Sequence, residues 1–298
     1  MVKKVKNTIP VYDICSLGDV NRIQEDVVAE PFASYLKGHP NLHFPHRHTF
    51  YHMVLFTGGG GYHTIDFEQF AVEAGQIYFM IPGQVHSWNF EGDVNGYVIN
   101  FSENLFRSFL SDHQFLEQFR FFRGVAKESV IKLSKDTFSE VTNTVGKIVE
   151  EVQTNGPLSI DMVCAQLLTL LIAVDREKSD RVLHEVPQQN QLLLYNFRKL
   201  VDQNFAQKRL PKEYATMLYI TPNHLNALCN DLLDKSAGAV IRDRILLEVK
   251  RLLINADTGI SEIAYQLGFT DNSHLTKFFK KYTNATPDEF RRSSLGKA

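Results

Sequence analysis

The chain has 298 residues and a formal net charge of −2, and 44% of its residues are hydrophobic, a composition typical of a globular protein long enough for two domains. No run approaches the roughly 18 apolar residues that span a bilayer, and Pro10 and Asp13 precede any apolar segment long enough for export. Three widely spaced cysteines form no CxxC pair, which argues against a zinc finger and for a reducing compartment: Cys15, Cys164 and Cys229. We therefore expect a cytoplasmic protein that does not contact a membrane.

The charge is distributed unevenly along the chain. Residues 1–189 carry 16 Lys and Arg against 23 Asp and Glu, whereas residues 190–298 carry 16 against 11. An acidic front half and a basic back half fit a sensor domain joined to a nucleic-acid-binding domain, and a random scatter of charge is the alternative.

Short strands are predicted for the front of the chain, residues 1–102. Residues 1–40 contain a short leading strand or two, and from His43 aromatic and β-branched runs alternate with glycine turns. These runs are Thr49 to Phe56, Tyr62 to Phe67, Gly75 to Ile81, Val85 to Phe90 and Tyr97 to Phe101. Because no helical pattern intervenes, the spacing predicts a small antiparallel β-barrel or sandwich.

Histidines are concentrated in this part of the chain, since seven of the 11 lie within residues 39–86. Alternate residues of a strand share a face, so the spacing predicts that three histidines point into one pocket: His46, His48 and His52. Aromatic rings beside polar donors suit small organic ligands, and Tyr78 and Trp88 are candidates to line such a pocket. Both aromatic side chains are equally suited to the core.

Long helices are predicted for the middle of the chain, residues 103–175. Apolar residues recur at i, i+3, i+4 and i+7 over Ser134 to Thr154 and over Leu158 to Val174. The aromatic-rich segment from Asn104 to Arg123 is predicted to be helical as well. The hairpin of two helices either packs against the strands or forms a dimer interface, and the charged segment 176–191 is the predicted linker.

The back of the chain, residues 192–298, begins with an amphipathic helix over Leu192 to Phe205 and continues with a helix-turn-helix pattern. Its first helix runs from Pro211 to Leu218, and its second from Asn223 to Leu232, where Thr221 is a good N-cap. With the apolar side chains of the second helix facing inward, polar residues remain for DNA: Thr221, Asn223, His224, Asn226 and Asn230.

A second helix-turn-helix pattern follows, in which one apolar stripe ends at Gly268 and another includes Leu275 and Phe279. Polar and basic residues of its second helix remain for DNA: Asn272, Ser273, His274, Thr276, Lys277, Lys280 and Lys281. Side-chain amides and imidazoles can read base edges while lysines contact phosphates, although an ordinary helical hairpin would also have a polar outer face.

A connecting helix is predicted between the two patterns, over Ala239 to Ile254, with four basic residues outside: Arg242, Arg244, Lys250 and Arg251. Its length of about 24–28 Å, at 1.5 Å per residue, is comparable to the ~34 Å between successive major-groove faces of DNA. Because each hairpin also extends sideways from the connecting helix, the second helix of each pattern can enter the major groove in adjacent turns on one face of DNA.

The back of the chain resembles a known family. The run IAYQLGFTDNSHLTKFFKKYTNATPDEFRR, residues 263–292, resembles the second helix-turn-helix of the AraC/XylS family of transcription regulators nearly position for position. The run ATMLYITPNHLNALCNDLL, residues 215–233, resembles the family's first helix-turn-helix. Ala227 and Cys229 depart from it, because members of the family often carry Arg and Phe there, which suggests weaker phosphate contact or different packing.

The front of the chain resembles the cupin barrel, which AraC/XylS regulators commonly use as a sensor. The resemblance rests on two segments, HFPHRHTFYHMVLFTGGGG at residues 43–61 and GQIYFMIPGQVHSWN at residues 75–89. Metal-binding cupins carry their ligands at positions that correspond here to His46, His48, His52 and His86, with His52 in place of the usual Glu. Three interpretations remain open: a metal centre, histidines that hydrogen-bond an organic effector, and histidines that serve the architecture of the barrel.

The resemblance implies an α+β protein in which a barrel senses a small molecule, helices pair two protomers, and two helix-turn-helix motifs bind promoter half-sites. It implies a small organic effector with no cofactor, bound near His46, His48, His52, Tyr78, His86 and Trp88. The aromatic rings beside polar donors favour a sugar or an aromatic acid. It further implies RNA polymerase as a partner, a homodimer, no enzymatic activity, and activation as the more common outcome. The alternatives are a cupin metalloenzyme with a DNA-binding tail and a ligand-independent regulator with a structural barrel.

Overall fold

The computed structural model describes residues 9–17, 26–106, 109–110, 115–177, 187–254 and 258–295. They divide into two compact units, the first formed by the described residues up to 177 and the second by those from 187 onward. Most of the predicted linker 176–191 lies outside the described residues. Among the helices described, none is both long and apolar enough to cross a lipid bilayer.

The first unit contains two five-stranded sheets. In order across the first sheet, the strands are β1 (Val11–Tyr12), β3 (His46–His48), β8 (Val85–Phe90), β5 (Gly61–Ile65) and β6 (Glu68–Ala71). Across the second sheet they are β10 (Val130–Lys132), β7 (Gln76–Met80), β4 (Tyr51–Gly58), β9 (Asn95–Phe101) and β2 (Val27–Pro31). A short helix, α1 (Phe32–Gly38), follows β2.

The predicted antiparallel barrel is corrected in two respects. The sheets are not closed onto each other, because β3 pairs with β1 and β8 whereas β4, the next strand of the chain, pairs with β7 and β9. The pairing is also not wholly antiparallel, since β1 runs parallel to β3. Both sheets contribute to one buried core, which includes Trp88 of the first sheet and Phe56 of the second, so the sandwich arrangement holds.

The segment after β9 differs from the predicted helix over Asn104 to Arg123. It forms 3₁₀ turns at Phe115–Gln118, Arg120–Phe122 and Ala126–Glu128 before β10 joins the second sheet. Phe121 and Phe122 are both buried, and the Phe121 ring stacks on Phe79 with centroids 3.9 Å apart. Adjacent residues do not share a face of an α-helix, so a compact series of turns is what buries both rings.

The predicted helical hairpin is confirmed as α2 (Lys135–Thr154) and α3 (Ser159–Glu177). Ser134 caps the start of α2, and the left-handed residue Asn155 ends it at φ 49°. Residues of both helices share a buried cluster with Met53, Phe79 and Ile99 of the second sheet. Of the two interpretations of the hairpin, packing against the strands is therefore the observed one, and a dimer interface stays a prediction.

The second unit is helical. Its helices are α4 (Gln188–Asn204), α5 (Pro211–Met217), α6 (Pro222–Leu233), α7 (Ala237–Leu253), α8 (Ile260–Gln266), α9 (Asn272–Thr283) and α10 (Pro287–Leu295). The pairs α5–α6 and α8–α9 are the two predicted helix-turn-helix motifs, and α7 connects them. One buried cluster, which includes Phe197, Ile245 and Phe279, joins all of these motifs.

The connecting helix α7 differs in its charged face from the prediction. Arg251 is only 7% exposed rather than outside. Arg244 bonds the carboxylates of Asp202 at 2.6 Å and Glu248 at 2.9 Å, so its charge is used within the protein. The 17 residues of α7 correspond to a length of about 26 Å.

Candidate functional site

The second helices of the two motifs, α6 and α9, begin in the same way. The Thr221 hydroxyl accepts a hydrogen bond from the His224 amide at 3.1 Å, and the Asp271 carboxylate accepts one from the His274 amide at 2.7 Å. Each cap satisfies an amide that lacks a partner in the first helical turn and fixes where the helix starts. Leu225 and Leu275 anchor the two helices as buried residues four positions after the caps.

On α6, three of the residues predicted to contact DNA are exposed: Asn223, His224 and Asn230. Thr221 is exposed as well, although its hydroxyl also serves as the cap. Asn226 differs, because it is partly buried and its Oδ1 accepts a hydrogen bond from the Ala237 amide at the start of α7, at 3.2 Å. Its amide oxygen is therefore already used within the protein.

On α9, six of the predicted residues are exposed: Asn272, Ser273, His274, Lys277, Lys280 and Lys281. Thr276 is partly buried, and its hydroxyl donates to Asn272 Oδ1 at 3.3 Å. The His274 ring meets Phe269 edge-on with centroids 5.5 Å apart, which restrains the imidazole at the outer face. The start of α9 thus presents polar groups, and its later turns present three lysines.

The loop between α4 and α5, residues 205–210, contacts the turn of the second motif. The Arg209 guanidinium lies 3.9 Å from the centroid of the Phe269 ring and donates a hydrogen bond to the Leu267 carbonyl. Gly268 fits against this loop, since a Cβ there would lie 2.4 Å from the Ala206 carbonyl oxygen. Sequence analysis identified the turn at Gly268, but Arg209 has no periodic signal that would have assigned it this contact.

The turns of the two motifs each contain one residue in the left-handed backbone conformation. Gly268 has φ +67° in the second motif, and Tyr219 has φ 56° in the first. The Tyr219 side chain is 96% exposed, so it occupies this conformation without being packed. The first turn is therefore open to solvent at the position where the second turn contacts the loop of residues 205–210.

Five buried histidines form a cluster in the first unit: His46, His48, His52, His63 and His86. We refer to these five residues as the histidine cluster, and each is at most 3% exposed. Ring centroids lie 4.1 Å apart for His46 and His86 and 5.3 Å apart for His63 and His86. The cluster is therefore a dense group of imidazoles rather than the lining of an open cleft.

The cluster includes residues from both sheets, which differs from the single strand assumed in the prediction. His46 and His48 belong to β3 of the first sheet, whereas His52 belongs to β4 of the second. Their rings nevertheless meet, since those of His48 and His52 are stacked at 5.0 Å. His63 of β5 was not predicted, because its approach depends on pairing between β5 and β8 that local sequence does not specify.

Hydrogen bonds fix the orientation of several rings. His46 Nδ1 donates to the Phe44 carbonyl at 2.7 Å, and His52 Nδ1 donates to Asn100 Oδ1 at 2.6 Å. His86 lies between two others, with its Nε2 2.7 Å from His48 Nε2 and its Nδ1 3.0 Å from His63 Nε2. The Nε2 atoms of His46 and His52 are buried and have no hydrogen-bond partner among the described residues.

Burial keeps the imidazoles neutral. Desolvation lowers the pKa of His46 to about 4 and that of His52 to about 3. Desolvation, together with the neighbouring imidazoles, also holds the pKa of His48, His63 and His86 well below the usual value. Neutral imidazole is the form that binds a metal ion, and one nitrogen each from His46, His48 and His86 lie within 4.8 Å of one another.

The two aromatic residues predicted beside the pocket border the cluster. Trp88 is 4% exposed, its ring lies 5.1 Å from that of His86, and its Nε1 has no partner among the described residues. The Tyr78 ring lies 5.0 Å from that of His63, but its hydroxyl lies 2.8 Å from the Ala71 carbonyl oxygen and 2.9 Å from Gln76 Oε1, and its one proton is shared between these two acceptors. The Tyr78 hydroxyl is therefore bonded within the protein, whereas the Trp88 Nε1 has no partner among the described residues.

Comparison with known proteins matches both units. A sequence profile described as an AraC-like ligand binding domain matches residues 32–177, and a profile described as a helix-turn-helix domain matches residues 214–293. The transcriptional activator RhaS of Klebsiella pneumoniae is 21% identical over 271 residues, which cover 85% of this chain and 89% of RhaS.

Two further relatives match over shorter regions. The uncharacterized regulatory protein YesN of Bacillus subtilis is 39% identical over 82 residues, 27% of this chain and 22% of YesN. The uncharacterized regulator YijO of Escherichia coli is 28% identical over 103 residues, 35% of this chain and 36% of YijO. The chain thus spans well under half the length that these two relatives have. With an AraC-like ligand binding profile on the first unit, a helix-turn-helix profile on the second and these relatives among regulators, the chain belongs to the AraC family of transcriptional regulators.

Proposed function

We propose that the chain is a sequence-specific DNA-binding transcription regulator whose first unit senses a small effector. The observation that carries the proposal is the pair of capped, outward-facing helix starts on α6 and α9, held in one helical unit. The 17 residues of α7 correspond to a length of about 26 Å. A connecting helix of this length allows α6 and α9 to enter successive major grooves on one face of DNA.

Within this proposal the candidate DNA-binding residues divide into two roles. Residues near the helix starts read base edges: Asn223, His224, Asn272, Ser273 and His274. Those further along or at the caps contact phosphate or support the readers: Thr221, Asn230, Thr276, Lys277, Lys280 and Lys281. Asn226 was predicted with the first group, and its bond to Ala237 favours a supporting role instead.

The proposed partners are double-stranded promoter DNA, a small effector, RNA polymerase and a second copy of the chain. The relative RhaS carries the name of an activator, which supports activation as the outcome here. Leu158 and Met162 of the hairpin region are 75% and 49% exposed, and these apolar side chains are candidates for a homodimer contact. A non-enzymatic role is supported by RhaS and YesN, whose names are those of regulators.

The test is selection of DNA by the full-length chain from a random duplex library, followed by measurement of affinity for the selected site. We expect a site with two recognition elements about one helical turn apart, and weaker binding of a scrambled duplex by about three orders of magnitude or more. Repeated selection that enriches no sequence, with or without cell extract as a source of effector, would contradict the proposal.

The second candidate function is a cupin metalloenzyme with a DNA-binding tail, and the convergence of His46, His48 and His86 is what favours it. A metal-loaded protein that turns over a substrate would support the enzyme. Purified protein without stoichiometric metal would contradict it.

A further inference from the structure

We infer that Tyr219 is a further DNA contact of the first helix-turn-helix motif, and that its phenol hydroxyl donates a hydrogen bond to a backbone phosphate beside the groove that α6 enters. The inference rests on the proposed function, because it requires α6 to lie in a major groove of DNA. Tyr219 lies in the turn between α5 and α6 and was not among the residues predicted to contact DNA.

The backbone of the first turn holds Tyr219 at a position where glycine is usual. The Ile220 amide donates to the Ala215 carbonyl at 3.0 Å, the bond of a Schellman motif that ends α5. The left-handed residue enclosed by this bond is Tyr219, at φ 56°. In the described part of the second unit, the other non-glycine residues with positive φ are Asp234 and Asn284, and their short polar side chains tolerate that conformation.

The second motif has the same turn with glycine in place of tyrosine. The Phe269 amide donates to the Ala264 carbonyl at 2.8 Å, and the left-handed residue is Gly268. A bulky residue in this conformation is strained, whereas glycine is not. Because the Tyr219 side chain is 96% exposed, its packing within the protein does not offset the strain. Strained residues that the fold does not need are typical of binding sites.

The neighbours of Tyr219 direct its side chain away from the protein. Leu218 and Ile220, on either side of it, are partly buried against the core of the second unit. The Tyr219 and His224 side chains border one groove at the surface of this unit. The phenol therefore lies on the side of the unit at which α6 begins, within reach of the sugar-phosphate strand of a duplex that α6 enters.

α6 has no cation of its own to hold a phosphate. Its 12 residues include no Lys or Arg, whereas α9 presents three lysines. Ala227 stands where AraC/XylS regulators often carry Arg. A tyrosine hydroxyl is one of the neutral groups that bind phosphate oxygens and fix the register of a protein on the duplex. Tyr219 thus positions the first motif without charge, while lysines position the second.

The first experiment compares the affinities of full-length variants for the selected duplex and for a scrambled one. Tyr219→Phe removes only the hydroxyl, and we expect affinity for both duplexes to fall about tenfold, because a phosphate contact carries no sequence information. The slope of log affinity against log salt should stay unchanged, since no cation is lost, whereas Lys280→Gln should lower it by about one unit. Tyr62→Phe, at an exposed tyrosine of the first unit, is the matched control and should bind like wild type.

Ethylation interference locates the phosphate. Wild-type protein should bind poorly when one particular phosphate beside the first recognition element is ethylated. The Tyr219→Phe variant has already lost this bond, so ethylation of the same phosphate should weaken its binding no further. Interference at all other phosphates should be the same for the two proteins.

Tyr219→Gly separates binding from folding. Glycine adopts the left-handed conformation without strain, and no buried packing is lost with the exposed ring. We therefore expect a melting temperature that is retained or raised by a few degrees, together with an affinity for DNA reduced by about tenfold or more. A lowered melting temperature would show that Tyr219 serves the fold and would overturn the inference.

The outcomes separate this inference from the proposed function. Wild-type protein that selects DNA, together with a Tyr219→Phe variant of equal affinity, overturns the contact and leaves the regulator intact. A loss confined to the selected duplex assigns the hydroxyl to a base edge and overturns the phosphate contact, as does a lowered salt slope. Wild-type protein that selects no DNA removes both the regulator and this contact.

Discussion

Asn226 shows that a polar residue on a reading helix can serve the protein rather than DNA. Its carboxamide oxygen satisfies the Ala237 amide at the start of α7, a group that the helix itself leaves without a partner. The helical period alone assigns Asn226 and Asn230 to the same polar set. Only the course of the chain after α6 separates the two residues.

Replacement of Asn226 should therefore affect stability more than sequence preference. We expect Asn226→Ala to lower the free energy of unfolding by about 1 kcal/mol, because a capping hydrogen bond is removed, and to leave the selected DNA sequence unchanged. Chemical denaturation and DNA selection measure the two effects. The exposed Asn230→Ala is the matched control and should leave stability within about 0.5 kcal/mol.

The lysines of α9 should act through charge rather than sequence. For Lys277→Gln, Lys280→Gln and Lys281→Gln we expect weaker binding to selected and scrambled DNA alike, because phosphate contacts carry no sequence information. The slope of log affinity against log salt should fall by about one unit for each lysine replaced. Lys147→Gln, at an exposed position of α2 in the other unit, should leave the slope unchanged. An unchanged slope in all three α9 variants would remove these lysines from the interface.

At the level of elements, the loop of residues 205–210 relates the two helix-turn-helix motifs. It leads directly into α5 of the first motif, where the Glu213 carboxylate accepts from the Arg209 and Leu210 amides at 2.9 Å. Through Arg209 and Ala206 the same loop contacts the turn of the second motif. The separation of α6 and α9 is therefore set by this contact as well as by α7.

Arg209→Lys should weaken the coupling between the motifs while retaining the charge. Lysine lacks the planar guanidinium that both stacks on Phe269 and donates to the Leu267 carbonyl. We expect affinity for DNA with both recognition elements to fall about tenfold, equivalent to about 1.4 kcal/mol, and affinity for DNA with one element to stay nearly constant. Equal losses on both duplexes would show instead that Arg209 contacts DNA or supports the whole unit.

Gly268→Ala should be strongly destabilising. A Cβ at this position would meet a backbone oxygen at 2.4 Å and would also hold φ +67°, which L-residues rarely adopt. We expect a loss of about 2 kcal/mol or more in thermal or chemical unfolding. Gly238→Ala in α7 is the control, since its Cβ would find ordinary contact at 3.6 Å and alanine favours a helix by about 1 kcal/mol.

At the level of the whole molecule, the two compact units suggest two unfolding transitions. Calorimetry of the full-length chain should therefore resolve two events, and selected DNA should raise only the melting temperature of the one that belongs to the second unit. A single transition would mean that the two units unfold as one.

The sequence was most informative where structure is local and periodic. The apolar stripes around Gly268 and the cap at Thr221 predicted both helix-turn-helix motifs, because each helix buries one face and exposes the other. The hairpin of α2 and α3 followed from the same period and from the stop at Asn155. These features depend on residues within a few turns of one another.

Features that depend on distant pairing could not be predicted in this way. His63 was not predicted to join the histidine cluster, and His52 was predicted there but not from a second sheet, because both depend on strand partners chosen across the whole first unit. The segment that contains Phe121 and Phe122 was predicted to be helical, but it folds into turns against the second sheet. Arg251 appeared exposed by period, yet it is buried because other helices of the second unit cover that face of α7.

The two turn residues give the two motifs unequal freedom to change under laboratory evolution. Tyr219 already holds a left-handed conformation with a large side chain in solvent, so a library randomised there should retain many folded members. The same library at Gly268 should return almost only glycine, because the loop of residues 205–210 fills the space. New DNA-sequence preferences are therefore more readily selected in the first motif, whereas the second motif must keep glycine in its turn.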